Sequence, residues 1–349
     1  MNNIQRPALD RSLYEPSHLW ALAHFVYALA LFFVPGYLSY QVALSELPLW
    51  AQIPAIALLT ILAGYGLNLL GVIGHEGTHG NFVKNRRLSA VIGIFSASAV
   101  VSYMEMGFAL SHWNHHRFTN QKDDPNVYPV ENLKTWWSRL LMSRINYNLV
   151  YLKDTFSMAM GKIPAFKYKV AFTEADQILF ARLNFLFAAM WIALYAAIFT
   201  IDWRAGVFVV ALPTLAVKFI AACQIFIDHG GLDDDRLFRN SWSRTSPLMT
   251  ILFFGANYHN EHHAYPGIPC YRLPQVHRIL REKGVFEAVP VPVERGFFKS
   301  FKPLFQVYAP TAKGDDFDPF ELPQAPASSD ERGVPQAAAV AVGAVGSAR

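Results

Sequence analysis

Nine of the 12 histidines in this 349-residue chain fall in four short places. His75 and His79 enclose Glu76-Gly77-Thr78. His112, His115 and His116 form a His-x-x-His-His run, and His259, His262 and His263 form a second. His229 stands alone after Asp228. A neutral imidazole nitrogen binds iron, zinc or copper near pH 7. On a helix, positions i, i+3 and i+4 share a face, so each run gathers three imidazoles and His75 pairs with His79 across one turn. Nine such ligands exceed the four positions of one tetrahedral zinc and match two ions of coordination number five or six. His18, His24 and His277 lie apart and read as structural residues.

Two other metal chemistries compete for these residues. His75-Glu-Gly-Thr-His79 also matches the His-Glu-x-x-His pattern of zinc proteases, with the glutamate as general base. That reading uses two of the nine histidines and leaves both runs surplus. A metal transporter would place its site near the bilayer midplane on broken, repeated helices; no matching halves occur here.

The elements that must carry the histidines are apolar. The chain is 53% hydrophobic and 16% charged, against about a quarter charged in a typical soluble domain. Four blocks, residues 19–44, 49–73, 178–200 and 205–227, meet the requirement of about 20 residues for a membrane-crossing helix. Links at 45–48 and 201–204 are short enough to make each pair an antiparallel hairpin. Cations such as Lys84, Arg86, Arg87, Arg117, Lys162, Lys167 and Lys169 fill the middle segment, while the links hold only Arg204. Cationic loops stay in the cytoplasm, so both termini and the middle segment are expected there. The net charge of +4 reads as a topology signal and excludes a nucleic-acid surface.

Residues 88–110 and 247–256 are also apolar. The first contains Ser89, Ser96, Ser98, Ser102 and Glu105, and the second is too short to span, so both are expected to be interfacial or re-entrant. If 88–110 does not cross, all nine histidines emerge on one face. The N-terminus lacks the pattern of a removable signal peptide. Residues 1–313 read as one membrane domain and 314–349 as a disordered tail. Two cysteines, Cys223 and Cys270, exclude a disulfide framework and a cysteine-ligated iron–sulfur cluster within the chain.

Three polar residues are candidates to support the ligands through hydrogen bonds. Glu105 precedes His112 by seven residues and shares its helical face; a solvated position on an interfacial helix is the alternative. Asp228 adjoins His229, and Asn257 precedes the third histidine cluster.

The set HEGTH, HWNHH and NYHNEHH, with a lone histidine after the fourth block, resembles the membrane fatty-acid desaturase and hydroxylase superfamily. HHRFTNQKDDPN and HNEHHAYPGIPCYRLPQVH extend the likeness over about residues 71–279. The resemblance implies an all-α, mushroom-shaped membrane protein whose cytoplasmic cap holds a di-iron centre, with an acyl chain bent into a tunnel beside it. It assigns His75, His79, His112, His115, His116, His229, His259, His262 and His263 as iron ligands. Some members place an asparagine four residues before the lone histidine. Here that residue is Ile225; the alternatives are that Gln224 or Asn257 substitutes or that this iron is more open.

The implied reaction uses molecular oxygen and an unactivated C–H bond of a fatty acid or fatty-acyl lipid. Fatty-acyl desaturation is the expected outcome. Oxidative decarboxylation of a free fatty acid to a terminal alkene, as in the undecene-forming branch, is the alternative, followed by lipid or carotenoid hydroxylation. Electrons must come from an external ferredoxin- or cytochrome-type donor protein. The expected location is a bacterial inner membrane, or the endoplasmic reticulum in a eukaryote.

Overall fold

The computed structural model describes residues 6–127, 129–165 and 171–306; Lys167, Lys169 and the expected tail at 314–349 lie outside them. Helices α1 (His18–Leu44) and α2 (Leu49–His79) are followed by α3 (Arg86–Ala97), α4 (Glu105–Phe118) and α5 (Trp136–Ala159). Next come α6 (Glu174–Ile201) and α7 (Trp203–His229), the latter passing through a π-helical stretch at Gly206–Ala211. Short helices α8 (Pro247–Leu252), α9 (His259–Ala264) and α10 (Leu273–Glu282) follow. The strands are two residues each, β1 (Ser243–Arg244) pairing in parallel with β2 (Val293–Glu294).

Among the described residues, α1, α2, α6 and α7 are the four helices long and apolar enough to cross a bilayer. Their outer faces expose Leu22, Val26, Ile53, Leu58, Leu186 and Ile192. Water would penalise so much apolar surface, whereas lipid does not. The chain is an integral membrane protein.

Helix α2 lies at the centre, packed on α1, α3 and α7. Small residues permit those close approaches. A Cβ on Gly66 would run into the α1 backbone at Phe32, and one on Gly77 would lie 2.8 Å from Gly93 Cα of α3. The glycine within HEGTH therefore sets how near α3 comes to the histidine-bearing turn.

The apolar stretch at 88–110 is not one helix. α3 has 12 residues, about 18 Å at 1.5 Å per residue, which is too short to cross. The chain then turns through Ser98–Met104, with Ser102 at φ +68°. Carbonyls freed by that break are met from the neighbouring spans: Trp191 Nε1 donates to Phe95 O, Tyr195 OH to Ala99 O and Lys218 Nζ to Val101 O. Residues 247–256 likewise form only the six-residue α8 and a turn.

Two expected span ends fall short of the observed helices. α2 continues unbroken to His79 and stops at Gly80, whose φ of +68° is the left-handed conformation that closes a helix. α7 continues to His229. The flanking histidines thus ride on the last turns of these helices rather than on loops after them.

Candidate metal centre

Four helices deliver the nine histidines to one place. α2 supplies His75 and His79, α4 supplies His112, His115 and His116, α7 supplies His229, and α9 supplies His259, His262 and His263. They form two groups. His75, His79, His112, His116 and His262 make one; His115, His229, His259 and His263 make the other. Within each, one ring nitrogen per residue lies within 4.8 Å of all the rest. His18, His24 and His277 belong to neither.

Each His-x-x-His-His run shares a helical face, yet the structure divides each run between the groups. At about 100° per residue, i+3 and i+4 fall on opposite flanks of i. His112 and His116 turn to the five-histidine group and His115 to the other. In α9 the division is reversed, with His259 and His263 in the four-histidine group and His262 in the five.

The donor set fits a metal ion. In the first group Nε2 atoms of His79 and His112, His112 and His116, and His116 and His262 are 3.0 Å apart. In the second, His115 to His229, His229 to His259 and His259 to His263 are 3.1, 3.0 and 3.1 Å. Two nitrogens about 2.1 Å from one ion and at right angles lie about 3.0 Å apart, against about 3.4 Å at tetrahedral angles. The spacing is that of a five- or six-coordinate ion.

Tautomers make the same point. His115 Nδ1 is 2.9 Å from both carboxylate oxygens of Asp124, and His229 Nδ1 is 3.0 Å from Asn240 O. These partners only accept, so in the neutral rings the proton sits on Nδ1 and both Nε2 atoms carry bare lone pairs. Those lone pairs face each other at 3.1 Å. A cation between them resolves the contact. Burial pushes His112, His116, His259, His262 and His263 well below the usual histidine range, which keeps the rings neutral and ready to ligate.

Sequence spacing did not reveal Asp124. It holds His115 by the carboxylate–histidine contact that fixes a ligand's tautomer and orientation. Asp123 and Asp124 are indistinguishable as a string, and only loop closure brings the second to the imidazole. Thr119 Oγ1, 3.2 Å from His263 Nδ1, was missed for the same reason.

The three expected supporting residues make their contacts elsewhere. Glu105 accepts from Thr78 Oγ1 at 2.6 Å, and burial pushes its carboxyl up to about 8. It sits neither on an imidazole nor on a solvated helix face. Asp228 pairs with the buried Arg244 at 2.6 Å. Asn257 donates to Arg244 O and Thr250 Oγ1, pinning the turn before α9. Gln224 accepts from Asn68 Nδ2 at 3.2 Å and lines the cavity described below. Glu76 accepts from Cys270 N at 2.8 Å, tying α2 to the segment after α9. That commitment, with His75 and His79 joined by three further imidazoles, removes the basis of the protease reading.

A cavity opens beside both groups. His75, His112 and His262 of the first and His115, His229 and His259 of the second are among its lining residues. Val72, Val100, Phe108, Val217, Ala221 and Ile225 form apolar walls. A cavity with apolar walls and imidazoles in its lining can hold a hydrocarbon chain beside the histidine groups.

Comparison with known proteins agrees with this arrangement. The family model described as fatty acid desaturase matches residues 48–293. The chain is similar to an sn-1 oleoyl-lipid 12-desaturase of Picosynechococcus sp., at 21% identity over 78% of this chain and 80% of that protein. It is similar to an sn-1 acyl-lipid omega-3 desaturase (ferredoxin) of Synechocystis sp., at 24% identity over 85% of each chain. A beta-carotene ketolase of Paracoccus sp. matches at 25% identity over 68% of this chain and 88% of its own. With the family match covering most of the chain and all three histidine clusters, this membrane oxidoreductase belongs to the fatty acid desaturase family.

Proposed function

We propose that the two histidine groups hold two iron ions and that the chain desaturates a fatty-acyl substrate with molecular oxygen. The observation that carries this is the division of nine imidazoles into five and four, each set converging on one point. Bound there, iron supplies oxygen activation and the capacity to take hydrogen from an unactivated C–H bond. The residues do the rest. Asp124 and Asn240 hold His115 and His229 with their Nε2 lone pairs turned inward. Val72, Phe108, Val217 and Ile225 exclude water and fix which carbon faces the imidazoles.

The relatives support an acyl substrate, since two are named as acyl-lipid or oleoyl-lipid desaturases, and one name specifies ferredoxin. An external ferredoxin- or cytochrome-type protein is the proposed electron donor. Both termini and the metal groups are placed in the cytoplasm, with α1–α2 and α6–α7 as hairpins, on the strength of the cationic middle segment. Reporters fused near Lys162 and inserted at Leu47 test this: cytoplasmic and external signals are expected, and a cytoplasmic Leu47 contradicts it.

The chemical test is the lipid and hydrocarbon profile of cells expressing the chain. An internal double bond is expected. A terminal alkene one carbon shorter, or a hydroxylated chain, would assign the same site to a different outcome.

A further inference from the structure

Two cations line the histidine cavity, and no ion pair reaches either of them among the described residues. Arg144 of α5 and Lys218 of α7 are both partly buried and share the wall with Tyr103, Asn126 and Gln224. Lys218 Nζ donates only to neutral oxygens, Val101 O and Ser102 Oγ. The Arg144 guanidinium lies over the Tyr103 ring, 5.3 Å from its centre. The carboxylates that line the cavity are already committed, Glu76 to Cys270 N and Asp228 to Arg244. Glu105 accepts from Thr78 Oγ1, and burial pushes its carboxyl up to about 8.

The outer surface beside Arg144 is apolar. On either side of Arg144, α5 exposes Leu141, Ile145 and Leu149. Paired cations beside hydrocarbon are costly unless an anion joins them. We infer that Arg144 and Lys218 receive the anionic end of the substrate, a carboxylate or a lipid phosphate, where the cavity meets the membrane. This rests on the reading of the cavity as the acyl site and adds to it the class of head group. Lys218 stands eleven residues before His229, about 16 Å along α7. An anion held there leaves a carbon further along the chain to reach the imidazoles.

The test is binding, not turnover, on the full chain reconstituted in phosphatidylcholine nanodiscs. Dodecanoate and methyl dodecanoate are titrated against a fluorescent fatty acid. Dodecanoate should bind about ten-fold or more tightly than its ester, the order of one charge-assisted contact. Arg144→Gln, and Arg144→Gln with Lys218→Gln, should erase that advantage while ester binding persists and reports an intact cavity. Arg144→Lys should keep most of it. If phosphatidylglycerol discs instead suppress probe binding in an Arg144-dependent way, the proposal stands with a lipid phosphate as the source. Equal binding of acid and ester without such suppression overturns it, as does an advantage that survives the double substitution. Iron content is measured on the same samples. Arg144-dependent binding without iron would support this proposal and overturn the metal reading alone.

Discussion

The two histidine groups are held by different means. In the four-histidine group, outer nitrogens are fixed by polar partners from loops and helix ends: Asp124 on His115, Asn240 O on His229 and Thr119 on His263. In the five-histidine group the rings are held largely by other rings. Phe108 stacks on His112 with centroids 4.7 Å apart, and Trp113 lies 5.6 Å from His79. His79 Nδ1 is buried without a hydrogen-bond partner. One group has fewer imidazoles and firmer polar support; the other has more imidazoles and relies on packing. Losing one contact should therefore matter more in the four-histidine group.

The largest effect should follow His229→Ala. With one of four imidazoles gone, iron should fall from about two to about one per chain and turnover should vanish, while the protein still inserts in the membrane. A fully metallated, active variant would remove His229 from the ligand set. Asp124→Asn comes next. Substituting a partner that orients a ligand typically costs about 10–100-fold in metal affinity or activity, and here the loss should appear in one of the two irons. Equal loss of both would erase the contrast between the groups. Trp113→Phe keeps a ring beside His79 but removes the Nε1 donor to Thr78 O, 3.3 Å away. It should cost about 1 kcal/mol of stability and leave iron content unchanged.

Glu105→Gln is read against pH and not against iron content. The native carboxyl holds its proton up to about 8, whereas the unfolded one releases it near the ordinary value of 4.5. Between those values the unfolded state binds fewer protons, so this residue makes stability fall as pH rises. Denaturation midpoints of Glu105→Gln relative to the parent should improve steadily from pH 5 to 8. A flat difference would mean that the carboxyl ionises normally.

How much of this was legible depended on what each residue's partner was. Four spans follow from hydropathy, yet the helices run past residues 73 and 227 to His79 and His229. Hydropathy drops at His75 and Asp228, but a helix stops where its backbone turns, as at Gly80, not where it becomes polar. The interruption between α3 and α4 was foreshadowed by Ser98, Ser102 and Glu105, although the side chains that cap it come from α6 and α7. His-x-x-His-His spacing singled out imidazoles that the fold brings together and left their division between two groups unseen, because that depends on which flank of the helix meets its neighbours. Sequence spacing makes Glu105 a support for His112. Its helical face was right, but Thr78 of α2 reaches it first. Arg144 and Lys218 are 74 positions apart and carried no joint signal.

The central claim is that the nine imidazoles hold two iron ions. Elemental analysis of the purified full chain tests it most directly. About two irons per chain are expected, in keeping with five and four imidazole ligands and with oxygen chemistry. A single zinc per chain, with activity restored by zinc alone, would contradict it.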